Sequence, residues 1–176
     1  MENATHARPE RDEYVPDYER YISLVPAEED VLTTLDRQFE DTLETLRGIP
    51  EERGDFRYAE GKWSIKELVG HLADSERIFG YRALRFARND QTPLPGFEQD
   101  DYVRGGRFGA CRLSDLVDEL ENVRKANMSL FRHLDEEAWA RRGDANGSMI
   151  SVRAIVYIIA GHEAHHMRIL RERYLS

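Results

Sequence analysis

The chain of 176 residues is long enough for one domain that buries its own core without disulfide or metal staples. Its formal net charge of -9 argues against a nucleic-acid binder, because such proteins draw their affinity for phosphates from lysine and arginine. The single cysteine, Cys111, excludes an internal disulfide and predicts a reducing, cytoplasmic location. The polar residues 1–14 lack the apolar core of a signal peptide, and the longest apolar run, 154–161, is too short to cross a membrane.

The N-terminal third of the chain predicts an arm followed by a first helix. Residues 1–17 are charged and aperiodic, and we predict a polar N-terminal arm ahead of one domain that covers residues 18–176. Pro26 and the three acids after it predict a helix start, and Gly48 predicts its end. Between them, apolar side chains recur every three or four residues at Leu32, Leu35, Phe39, Leu43 and Leu46.

Three further helices follow, each with a start signal or an apolar stripe. Ser64 and Glu67 form a capping box, which predicts a second helix from there to about Arg88. The connection 89–112 is rich in proline and glycine and is long for a compact domain, which indicates either a function or a crossover. A third helix is predicted from Ser114, and Ser151 is predicted to cap the last helix.

These elements predict an all-α fold, a four-helix bundle. Residues 143–147 are predicted to form a loop, and the one β-like stretch, 55–58, has no evident partner strand. The long crossover between the second and third helices favours the order up-down-down-up over simple up-and-down.

Two histidines on the last helix are the first candidates for a metal site. His162 and His166 are one helical turn apart on the apolar face of that helix, so both rings can reach one ion. Histidines that are hydrogen-bonded in the core are the alternative. His162-Glu163-Ala164-His165-His166 also matches the metalloprotease motif H-E-x-x-H, but the third ligand of those enzymes lies downstream, where the chain offers none.

The upstream candidate for a third ligand is His71, in the middle of the second helix. Three imidazoles without a fourth protein ligand are typical of a catalytic site with an open position, and zinc, nickel, copper and iron all accept imidazole. Glu163 and Asp74 are candidates to orient the ligands, although a solvated or ion-paired carboxylate is the more ordinary interpretation. We interpret His165 as a surface residue and assign no function to His6 and His133.

Three stretches of the sequence resemble the DinB/YfiT-like superfamily. They are Gly61–Arg77 around His71, Ile159–His166 around the histidine pair, and Pro93–Tyr102 in the long connection. The resemblance begins near Tyr18 and covers essentially the rest of the chain. It implies a four-helix bundle, often a homodimer, in which His71, His162 and His166 hold a divalent ion and His165 lies outside the triad.

The resemblance also implies a range of activities, because the superfamily includes thiol S-transferases, a mycothiol-dependent isomerase and many proteins classed provisionally as metal-dependent hydrolases. The sequence offers no dedicated nucleophile, so we expect a divalent transition metal (zinc, nickel or iron) to activate water or a low-molecular-weight thiol against a small-molecule substrate. The residues around Phe97 to Tyr102 are a candidate wall of the pocket, and a packed surface loop with a solvated acidic run is the alternative interpretation. A metal- or small-ligand-binding bundle without turnover is the alternative function, and a purely structural bundle is a third.

Overall fold

The computed structural model describes residues 6–176, most of which are helical. Within this range no helix is both long enough and apolar enough to span a membrane. The last turn of the chain, Leu170–Tyr174, continues the final helix as a π-helical turn. In chain order the elements are α1 (Glu19–Ile22), α2 (Val31–Arg47), α3 (Ile65–Ala87), α4 (Gln99–Gly106), α5 (Leu113–Phe131), α6 (Glu136–Ala140), β1 (Arg142–Ala145), β2 (Ser148–Ser151) and α7 (Val152–Ile169).

Side-chain caps fix where the long helices begin. The Ser64 hydroxyl accepts from the backbone N–H of Glu67 at 3.2 Å, while the Glu67 carboxylate accepts from the N–H of Ser64 at 2.7 Å, so the predicted capping box is present. The Ser151 hydroxyl caps α7 by accepting from the N–H of Ala154 at 2.9 Å. Helix α2 begins later than predicted, at Val31, because Asp30 is its cap.

The four long helices form the predicted bundle. Helix α3 packs against both α5 and α7, and α2 packs against the same two helices. One part of the core lies around Phe86, Phe131 and Ile155, and a second part lies around Leu68 and Leu116. The up-down-down-up order of the helices stays a prediction.

The expectation that the chain has no strand pair was wrong. Strands β1 and β2 form an antiparallel hairpin in place of the loop predicted at 143–147. Asn146 and Gly147 connect them with φ angles of 58° and 75°, and two positive φ angles are what a type I′ turn requires. Residues 55–58, the stretch that looked β-like, are not a strand.

The long connection between α3 and α5 contains helix α4, which packs against α3. Leu94 pairs with the edge of the hairpin, since its N–H donates to the carbonyl of Asp144 at 2.9 Å. The connection is therefore anchored twice, by the packing of α4 on α3 and by the hydrogen bond of Leu94 to the hairpin. This arrangement places α4 beside the histidine-bearing part of α3 and Leu94 beside the hairpin.

The described part of the predicted N-terminal arm, residues 6–17, lies against the body of the protein. The Arg8 guanidinium donates to the carbonyls of Ile22 and Val25, and the hydroxyl of Tyr157 donates to the carbonyl of His6. Residues 1–5 of the predicted arm lie outside the described residues. The domain boundary at residue 17 stays a prediction.

Candidate metal centre

Three buried histidines meet between α3 and α7. His71 comes from the second turn of α3, and His162 and His166 come from successive turns of α7. One ring nitrogen from each lies within 4.8 Å of the others. The Nε2 atoms of His71 and His162 are 3.1 Å apart. The structure thus brings together the three residues that the sequence nominated.

Burial keeps these imidazoles neutral. Desolvation lowers the pKa of His71 to about 4, against a small opposing effect of the Asp100 carboxylate. Burial also lowers the pKa values of His162 and His166 well below their ordinary range, and the neighbouring histidines lower them further. Neutral imidazole is the form that binds metal ions.

The donor set fits a divalent transition metal. Ligand nitrogens at about 2.0–2.1 Å from a tetrahedral zinc ion are roughly 3.3 Å apart, close to the His71–His162 separation. Ligating histidines generally donate their second ring N–H to an outer partner. The Oγ atom of Ser75, 3.5 Å from Nδ1 of His71, is in position for this role. No carboxylate or thiolate joins the cluster within residues 6–176.

Aromatic side chains surround the histidines. The Trp63 ring lies 4.7 Å from the His71 ring and stacks on the His166 ring at 6.3 Å. The Tyr21 ring lies edge-on to His162 at 5.3 Å. These rings cover the histidines, which are at most 9% exposed. Neither ring was predicted to belong to the site, because its contact with the histidines depends on how the helices pack.

Trp63 also lines a shallow cleft of about 450 Å³, to which none of the three histidines contributes. Asp100, Val103 and Arg104 of α4 form one wall of this cleft, and residues 57–67 form the other. Of the predicted wall, Phe97 to Tyr102, Asp100 is the residue that lines this cleft, and its role as a wall of the metal pocket stays a prediction.

Glu163 does not face the cluster, although the H-E-x-x-H motif contains it. Its carboxylate is 2.8 Å from Nη2 of Arg124, and it accepts hydrogen bonds from Thr42 at 2.6 Å and from Gln38 at 2.8 Å. A carboxylate held by these three partners is not available as a general base. The protease interpretation fails on this geometry, and Glu163 does not orient the ligands by accepting a hydrogen bond from one of their rings.

A buried charge network, which we call the Arg124 network, occupies the core beside the histidines. Arg124, 3% exposed, donates to both carboxylate oxygens of Glu76 at 2.8 and 2.9 Å and also pairs with Glu163. A small cavity lined by Arg124 and His162 adjoins the network. Arg124 was not among the predicted site residues, although its place four residues after Leu120 and four before Met128 puts a charge in an apolar stripe.

The remaining candidates lie apart from the centre. His165 is half-buried, with its ring 5.1 Å from that of His166, and it does not belong to the cluster. Asp74 lies near Arg77, at 3.7 Å, and makes no contact with the ligands. His133 is exposed at the end of α5, and Cys111 is half-buried at the start of the same helix.

Comparison with known proteins gives consistent results. The sequence profile of the DinB superfamily matches residues 34–170. A protein of Oceanobacillus iheyensis, named provisionally as a metal-dependent hydrolase, is 32% identical over 127 residues, which cover 70% of this chain and 72% of the relative.

Solved structures share the fold. YfiT from Bacillus subtilis, described provisionally as a metal-dependent hydrolase with an unusual four-helix bundle topology, superposes with a TM-score of 0.68 at 16% identity, covering 94% of this chain and 93% of YfiT. A mycothiol-dependent maleylpyruvate isomerase gives a TM-score of 0.66 at 15% identity, covering 83% of this chain but 61% of the isomerase. With most of its length matched by the family profile and a relative above 30% identity, the chain belongs to the DinB superfamily.

Proposed function

We propose that this protein is a metal-dependent enzyme that acts on a small molecule and uses water or a low-molecular-weight thiol as the nucleophile. One observation carries the proposal: three buried imidazoles converge from two helices with no acidic or thiol ligand among them in residues 6–176. The provisional assignment of two relatives as metal-dependent hydrolases supports a metal, and the mycothiol dependence of a structural neighbour supports a thiol.

In this proposal His71, His162 and His166 hold the ion. A divalent ion bound to three protein ligands supplies Lewis acidity and lowers the pKa of a water or thiol nucleophile. Trp63 and Tyr21 limit the access of bulk water to the centre, and the cleft that Trp63 lines is the route by which the substrate approaches the ion. The donor set leaves zinc, nickel and iron open as the ion.

We further propose that the protein is a cytoplasmic homodimer. The single cysteine supports a reducing compartment, and the family resemblance supports the dimer. Size-exclusion chromatography with light scattering tests the oligomeric state.

Metal binding is tested by elemental analysis of the purified protein and by titration of the metal-free protein with zinc or nickel. We expect about one ion per chain, and we expect His71→Ala to weaken binding by more than about 100-fold, since even outer-layer changes cost 10–100-fold. His133→Ala is the matched control, because His133 is exposed and outside the cluster. Absence of bound metal, together with no thermal shift on adding it, would refute the proposal.

Turnover is tested with a bacterial low-molecular-weight thiol and a fluorogenic electrophile, and separately with a chromogenic ester. We expect thioether formation or hydrolysis in the metal-loaded protein, and loss of that activity in His71→Ala but not in His133→Ala. Activity that persists in His71→Ala would contradict the catalytic role. Metal binding without turnover of any substrate class would favour a metal- or small-ligand-binding protein instead.

A further inference from the structure

A second pocket, which we call the Arg82 pocket, lies at the hairpin end of the bundle. It has a volume of about 50 Å³ and lies between α3, the first turns of α7, the β-hairpin and residues 15–18. Phe79, Ile150 and Ile155 supply apolar walls. Its rim includes Met149, which is 51% exposed, so the pocket is open to solvent beside the hairpin turn.

Arg82 is the charged residue of this pocket. It is 5% exposed, and its Nη2 donates to the carbonyl of Pro95 at 2.9 Å. Its guanidinium lies 5.9 Å from the centres of both the Phe79 and Phe97 rings. Within residues 6–176 no carboxylate lies within 4.0 Å of it, and no acidic side chain lines the pocket.

Arg124, the other buried arginine among the described residues, differs from Arg82 because it is paired with two carboxylates. A buried charge without a counter-charge is unfavourable, and the protein as a whole carries a net charge of -9, so acidic side chains are plentiful. A pocket with a buried guanidinium and no acidic side chain in its lining is suited to bind an anion from outside the chain.

We propose that the Arg82 pocket binds the carboxylate group of a small organic acid. A planar guanidinium recognises a carboxylate through two parallel hydrogen bonds. Tyr18, Ser148 and Asn146, which also line the pocket, carry further donor groups. Because one water molecule takes up about 30 Å³ of liquid, a pocket of about 50 Å³ holds the carboxylate group alone, and the one or two attached carbons extend through its open side beside Met149.

The Arg82 pocket is separate from the histidine cluster. His71 and Arg82 belong to the same helix, and the rise of 1.5 Å per residue places them about 16 Å apart along its axis. Phe79 lies between them in the helix, with its ring 6.3 Å from the ring of His162, and it also lines the pocket. A two- or three-carbon acid cannot touch both sites, so anion binding here does not depend on the metal centre.

The test compares sodium acetate with sodium chloride at equal ionic strength. At an acetate concentration about ten times the dissociation constant, we expect the melting temperature to rise by about 3–5 °C relative to chloride. Arg82→Met should abolish this difference. His71→Ala should keep the difference between acetate and chloride, which would exclude acetate bound to a metal at the histidine cluster. Arg132→Met should also keep this difference, because Arg132 is exposed and lies outside the pocket.

An NMR measurement on the wild-type protein keeps the test decisive if Arg82→Met does not fold. Acetate should shift the Nε–Hε resonance of Arg82 in a saturable manner, and chloride should not. The proposal is overturned if that resonance does not respond, or if Arg82→Met retains the acetate-dependent rise in melting temperature.

Discussion

The Arg124 network makes a quantitative prediction about stability. Arg124 donates to Glu76 through two hydrogen bonds and pairs with Glu163 at 2.8 Å, and all three side chains are at most 5% exposed. Burial lowers the pKa of Arg124, but the two carboxylates outweigh this effect and raise it above its ordinary value. Arg124→Met therefore removes the cation and leaves two carboxylates in the core.

The expected loss is large because removing one partner of a buried ion pair costs about 3–5 kcal/mol. A kilocalorie shifts the melting temperature of a domain of this size by about 2–4 °C, so Arg124→Met should melt about 6–20 °C lower. Thr42, Gln38 and Asn127 still donate to the two carboxylates, which favours the lower half of this range.

Urea unfolding and calorimetry at pH 7 measure the loss. Arg132→Met is the matched control, because the Arg132–Asp36 pair is about half exposed and should contribute no more than about 1 kcal/mol. The triple variant Arg124→Met/Glu76→Gln/Glu163→Gln should be more stable than Arg124→Met alone. A loss below about 1 kcal/mol in Arg124→Met, or no recovery in the triple variant, would show that the two buried carboxylates do not depend on Arg124.

Two other positions give predictions of different kinds. A Cβ atom at Gly161 would lie 2.0 Å from the backbone carbonyl oxygen of Tyr21, so Gly161→Ala should destabilise the fold by about 1–3 kcal/mol in urea unfolding, whereas Gly105→Ala meets open space and should not. Burial raises the pKa of Glu13, but hydrogen bonds, chiefly from Arg153, outweigh it and lower the pKa below its ordinary value. The ionised Glu13–Arg153 pair therefore stabilises the fold above about pH 4.5. Glu13→Gln should be less stable than the wild type by roughly 1.5–3 kcal/mol at pH 7, and this difference should shrink as the pH falls towards 3. A difference that does not change with pH would contradict this assignment.

The helices could be predicted because their signals are local. Apolar spacing and caps such as Ser64 and Ser151 depend on neighbours in the sequence, and the structure confirms both caps. The hairpin was missed because its local signals are weak. Its strands have four residues each and show no clear alternation of apolar and polar side chains, so the Asn146-Gly147 turn was the remaining sequence signal. The pairing of Leu94 with Ala145, a contact between segments far apart in the sequence, adds to the hairpin.

The candidate site was predictable in part. The spacing of His162 and His166 places both on one side of a helix, but no spacing rule identifies a partner ninety-one residues upstream. His71 was nominated because it lies on an apolar helix face, and the family resemblance supported it. The Arg124 network and the aromatic rings escaped prediction because they depend on which helix faces meet, a property of the packed bundle.

The Arg124 network also explains how α7 presents its histidines. Glu163 follows His162, so its side chain is rotated by about 100° around the helix. Its hydrogen bonds to Gln38 and Thr42 of α2 and its ion pair with Arg124 of α5 fix the rotation of α7 about its axis. With that rotation fixed, His162 and His166 face α3. The glutamate of the H-E-x-x-H sequence thus orients the helix that carries the ligands, and a replacement at Glu163 is expected to act on metal affinity through this rotation.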